Sequence, residues 1–142
     1  MPTRLTWLLA FTLVGLAACT KKPPHPYAPQ PKVMLEGGLG VQVLREGDGA
    51  PTRKGDKITI HFVGTLSDGG VFDSSRARNQ PFAFWVGEGQ VVPGLDRGLL
   101  GVKEGELRTV TVPAALGYGS EAKPGIPPNS TLEFEVELLN IR

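Results

Sequence analysis

Downstream of residue 38, hydrophobic and polar positions alternate in short runs separated by glycine-bearing turns. The clearest run is at the end of the chain. There Leu132, Phe134, Val136 and Leu138 alternate with Glu133, Glu135 and Glu137. A period of two places the apolar side chains on one face and the carboxylates on the other, which predicts a strand with one buried and one wet face. Lys57–Phe62 repeats the pattern, with Ile58, Ile60 and Phe62 on one face and His61 on the opposite one. Thr109–Val112 is a third strand, Val41–Leu44 a weaker first one, and Phe82–Val86 a short, strongly apolar one. Asp48-Gly49 and Asp68-Gly69-Gly70 supply the turns. One stretch, Gly94–Gly101, reads as a helix, with Pro93 at its start and Gly101 at its end. Its Leu95, Leu99 and Leu100 share a side, so it packs on a sheet. Strands distant in sequence plus one short helix predict an α+β domain over residues 38–142.

The N-terminal pattern differs. Residues 1–18 begin with one basic residue, Arg4, and continue as an apolar run from Trp7 to Ala18. That run falls short of the ~20 apolar residues of a membrane span and has the length of a signal-peptide core. The four residues Leu16-Ala17-Ala18-Cys19 resemble the bacterial lipobox. The resemblance implies cleavage before Cys19 and lipidation of its thiol, with acyl chains contributing roughly 0.8 kcal/mol per buried CH2. Thr20 follows the cysteine, where lipoproteins kept at the inner membrane tend to carry Asp. The expected location is therefore the periplasmic face of the outer membrane, with the inner membrane or the soluble periplasm as alternatives. Residues 19–37 carry Pro23, Pro24, Pro26, Pro29 and Pro31, a density that favours an extended spacer over helix or sheet.

Composition narrows the chemistry. The 142 residues are 40% apolar and 20% charged, room for one ordinary domain. The net charge is +1, and loss of residues 1–18 removes Arg4 and leaves a neutral chain. Neutrality gives no electrostatic reason to expect a nucleic-acid partner. Cys19 is the only cysteine, so no internal disulfide can form, and two histidines do not make a zinc-type ligand set. Gly87-Glu88-Gly89 lacks the Gly-Lys-Ser/Thr of a phosphate loop. No cofactor is expected.

Six ordered blocks carry a resemblance: His61-Phe62-Val63-Gly64, Val71-Phe72-Asp73-Ser74-Ser75, Pro81-Phe82-Ala83-Phe84, Val91-Val92-Pro93-Gly94-Leu95, Gly117-Tyr118-Gly119 and Ile126–Leu132. Each is weak alone, but together their order and spacing resemble the FKBP-type peptidyl-prolyl cis/trans isomerases from about residue 40 onward. The resemblance implies a curved antiparallel sheet wrapped around one short helix, with an apolar proline pocket between them. It implies Phe72, Asp73, Val92 and Tyr118 as catalytic residues, and Phe62, Arg78, Phe82, Val91, Leu95, Ile126 and Phe134 as substrate-binding residues. Phe62 stands where the family normally has tyrosine, and Leu95 where it often has tryptophan. The loop after Gly119 is one residue shorter than in the best-known members, with Lys123 at the pocket rim. Implied partners are proline-containing folding proteins and rapamycin-type macrolides, bound by a monomer. A non-catalytic module holding proline peptides in the same pocket is the alternative reading.

Overall fold

The computed structural model describes residues 29–142. The expected signal segment, Cys19 and the linker as far as Ala28 lie outside the described residues. Strand β1 is Val33–Met34, β2 Gly40–Arg45, β3 Lys57–Leu66, β4 Val71–Ser74 and β5 Phe82–Trp85. Helix α1, Pro93–Gly98, precedes β6, Leu107–Val112, and β7, Leu132–Ile141. All pairings are antiparallel. The spatial order is β1-β2-β6-β7-β3-β4, and β5 also pairs with β3. This is the FKBP-like α+β arrangement that the six blocks imply.

The alternating runs became the central strands. Along β3 the buried residues are Ile58, Ile60, Phe62 and Gly64; along β7 they are Leu132, Phe134, Val136 and Leu138. Ile60 pairs with Leu138 but Thr59 pairs with Asn140, so Leu139 is an extra residue in β7. This bulge turns Leu139 outward, where it is exposed although apolar.

Helix α1 lies against β6. Gly94 and Gly98, one turn apart, are the contact residues, and a Cβ at either would overlap a methyl group of Val112 or Val110. The helix is shorter than the sequence predicts, because after Gly98 the chain turns away. The Gly101 N–H then bonds to the Thr52 carbonyl at 2.9 Å. The sheet also begins earlier than the predicted start at residue 38. Gly37 and Gly38, with φ of 79° and 82°, reverse the chain and lay Val33–Met34 on Val41 and Gly40. The end of the segment read as spacer is thus an edge strand.

Candidate active site

One cavity of about 230 Å³ opens between α1 and the inner face of the sheet. β3 supplies Ile60 and Phe62, β4 Phe72 and Asp73, β5 Phe82, and β7 Phe134. The segment entering α1 adds Gln90, Val91 and Val92, the helix adds Leu95, and Arg78 and Tyr118 complete the lining. Ten of the eleven pocket residues expected from the sequence therefore converge. Ile126 is not among the lining residues. The reciprocal backbone bonds between Lys123 and Ile126, 3.0 and 2.8 Å, close a tight turn, and the Ile126 side chain is buried in the core. Cys19 lies outside the described residues.

The wall is a connected series of aromatic rings. Phe72 meets Phe134 edge-on at 5.7 Å, Phe134 meets Phe62 at 6.3 Å, Phe62 meets Phe82 edge-on at 6.2 Å, and Phe82 stacks on Phe84 at 5.4 Å. The edge-on contacts align ring edges with ring faces, and with the stacked pair they fix the rings against one another. Phe62 and Phe134 are buried, whereas Phe82 and Tyr118 are exposed at the mouth.

Among the lining residues, charge is carried by Asp73 and Arg78 alone. Asp73 and Arg78 form an ion pair, and the same Asp73 oxygen accepts the Ser74 N–H at 2.8 Å. Both partners are close to half exposed, so the pair contributes at most about 1 kcal/mol to stability. Its place beside an apolar cavity matters more than that contribution. Behind β4, the Ser75 hydroxyl oxygen accepts the Phe62 N–H at 2.7 Å and lies 2.9 Å from His61 Nδ1. His61 thus faces away from Phe62, as the alternation predicts, and helps fasten β4 to β3.

The cavity floor is held by α1. The Val92 carbonyl accepts the N–H groups of Leu95 and Asp96 at 3.0 and 3.1 Å, while Val92 donates no backbone bond among the described residues. Asp96, buried, accepts the Gly87 and Gly89 N–H groups, both at 3.0 Å. That carboxylate shapes the turn leading to Gln90 and Val91. At the opposite rim, the Lys123 ammonium sits 5.6 Å above the Tyr118 ring and 3.3 Å from Glu121. Sequence reasoning missed Ile60, which reads as plain core, and Gln90, which reads as loop. The Gln90 Oε1 accepts the Trp85 N–H at 2.8 Å.

An apolar cavity between the sheet and one short helix, with Asp73 in reach of Arg78, is what the six blocks imply. The sequence profile described as FKBP-type peptidyl-prolyl cis-trans isomerase matches residues 49–139. The chain belongs to this family. It is an FKBP-type peptidyl-prolyl cis-trans isomerase. Curated FKBP relatives agree. The chain is 45% identical over 144 residues to mouse "Peptidyl-prolyl cis-trans isomerase FKBP2", covering 97% of this chain and 95% of that protein. It is 48% identical over 106 residues to an "FK506-binding protein" of Neisseria meningitidis serogroup B, covering 74% of this chain and 97% of the relative. Among solved FKBP structures, AtFKBP13 superimposes with a TM-score of 0.73 at 34% identity, over 80% of this chain and 100% of that one. FkpA from Escherichia coli superimposes with a TM-score of 0.72 at 39% identity, over 78% of this chain; the match spans 51% of that protein.

Proposed function

We propose that this isomerase acts on exposed X–Pro bonds of proteins folding in the bacterial envelope, tethered there through a lipid on Cys19, and that its cavity works by favouring a twisted amide. The observation that carries the mechanism is the continuous aromatic wall with Asp73 and Arg78 at its mouth.

Rotation about an amide C–N bond costs about 18–20 kcal/mol because it destroys conjugation. No bond is broken, so no nucleophile is called for; the site must bind the twisted amide more tightly than either planar form. A twisted amide has less charge separation between nitrogen and oxygen. An apolar, water-poor cavity therefore disfavours the planar form relative to the twisted one. Phe72, Phe82, Phe134, Val91 and Leu95 supply that medium and hold the proline ring. The Val92 N–H and the Tyr118 hydroxyl anchor the flanking peptide, and Asp73, held by Arg78, faces the substrate carbonyl. With phenylalanine at 62, Arg78 is the side chain left to orient the Asp73 carboxylate. Rapamycin-type macrolides suit the same cavity, and the domain acts as a monomer.

The test is a proline-isomerisation assay of wild type and Asp73→Ala. The variant should fold normally and lose about tenfold in kcat/KM, equivalent to roughly 1.4 kcal/mol of transition-state stabilisation. Unchanged turnover would remove Asp73 from the mechanism. For the anchor, Cys19→Ala should move the full-length protein from the membrane fraction to the soluble one. Continued sedimentation with membranes would overturn the lipid attachment and the location argued from it.

A further inference from the structure

Strand β6 presents a charge where its pattern calls for an apolar residue. Arg108 pairs with Val136, two places from the Val110–Phe134 pair, so by the two-residue period its side chain is on the inner face with Val110 and Val112. It is nearly buried, with an 11% exposed side chain, and its partner Glu106 is 5% exposed. Both Arg108 Nε and Nη2 donate to one Glu106 oxygen, at 2.9 and 2.7 Å. The other Glu106 oxygen accepts the Lys103 N–H at 2.8 Å. The remaining arm of the fork, Nη1, donates to the carbonyls of Gly98 at 3.0 Å and Leu100 at 3.2 Å. These lie at the C-terminal end of α1, where carbonyls lack intrahelical partners and the helix dipole is negative.

The other end of the same helix is the cavity floor. Backbone bonds connect the two ends directly: Leu99 N–H to the Leu95 carbonyl at 3.1 Å, and Leu95 N–H to the Val92 carbonyl at 3.0 Å. A six-residue helix moves as one body, so whatever fixes its last turn also fixes Val92 and Leu95. Replacing such a buried pair whole by apolar residues is often neutral for stability, so stability alone does not call for an arginine here. What an arginine fork adds is geometry, one planar group engaging a carboxylate and two carbonyls at set angles.

We propose that Arg108, held by Glu106, is a positioning residue of the isomerase: it fixes the depth and tilt of α1 and so the place of Val92 and Leu95 in the cavity. The inference rests on those two residues forming the substrate floor. Misplacing a binding group by a fraction of its own size costs far more in rate than in fold.

The experiment compares wild type, Arg108→Met and Arg108→Lys, each well below its own melting midpoint. Lysine keeps the charge toward Glu106 but cannot engage the carboxylate and both carbonyls together. Arg108→Met should lose roughly tenfold in kcat/KM, mainly through a raised KM, and Arg108→Lys should lose less. Both should shift the backbone amide resonances of Val92 and Leu95 and bind a rapamycin-type macrolide more weakly. A lower melting midpoint with unchanged kcat/KM, macrolide affinity and amide shifts would overturn the proposal and leave the pair a purely structural one. If Arg108→Met does not fold, Arg108→Lys decides: wild-type behaviour overturns the proposal, and the stated losses support it. Asp73→Ala in the same assay separates this from an error in the cavity assignment. Should that variant turn over normally, the Val92 and Leu95 amide shifts still decide for or against Arg108.

Discussion

At Gly64 a hydrogen in place of a side chain sets the shape of the cavity. A Cβ there would lie 2.5 Å from Phe72 Cζ and 2.7 Å from its Cε2, so the Phe72 ring lies directly on the β3 backbone. From there it makes its edge-on contact with Phe134. Gly64→Ala should push Phe72 aside, with an overpacking cost of about 1–3 kcal/mol, and should lower kcat/KM together with the melting midpoint. Thermal unfolding and the isomerisation assay check both; wild-type values in each would show that Gly64 does not seat Phe72. At this scale the apolar wall and the Asp73–Arg78 pair were legible, because they stand in blocks whose order is itself informative. Gln90 and Arg108 were not. Gln90 looks like any exposed loop residue until the fold brings it to the cavity. Arg108, beside Thr109-Val110-Thr111-Val112, looks like a solvated strand end although its side chain is nearly buried.

Elements are joined on the outer face by Glu137 of β7, which bonds Arg76 after β4 at 2.7 Å and approaches Arg45 of β2 at 3.4 Å. The hydrogen bond from Arg76 is the main influence holding the Glu137 carboxyl below its ordinary value of 4.5, with the positive charges of Arg76 and Arg45 adding to it against the opposing cost of burial. A carboxylate whose pKa is lowered by folding stabilises the native state above its unfolded pKa and loses that contribution as pH falls through the folded one. Arg76→Ala should therefore be less stable than wild type at neutral pH, and the difference should vanish at acid pH, in the range below 4.5. Because both arginines are near half exposed, the difference should stay under about 1 kcal/mol. Denaturant melts across pH test this; a gap that persists in acid would point to lost packing by the Arg76 stem. The elements themselves were legible where burial is one-sided, as in β3 and β7, whose alternation marks them plainly. β4, Val71–Ser74, has no buried residue to mark a period, and the Leu139 bulge hides between two adjacent leucines. β1 escaped because both of its residues are exposed and prolines precede it.

For the molecule as a whole, edge and site are separate. β1 contacts β2 at one margin of the sheet, and neither strand lines the cavity. A chain starting at residue 36 should keep kcat/KM within about twofold while losing about 1–2 kcal/mol of stability, from the missing strand bonds and the uncovered Val41. A large fall in turnover would instead tie the edge to the site. The strand order has another consequence. β7 is the last strand in sequence, yet it stands between β6 and β3. Without it the sheet separates into β1-β2-β6 and β3-β4-β5, two fragments that share no ladder. A chain delivered from its N-terminus, by a ribosome or through a narrow pore, therefore cannot close its hydrophobic interior until Leu132–Ile141 has emerged. Closure of the whole sheet thus depends on its last strand, whatever order the earlier elements form in.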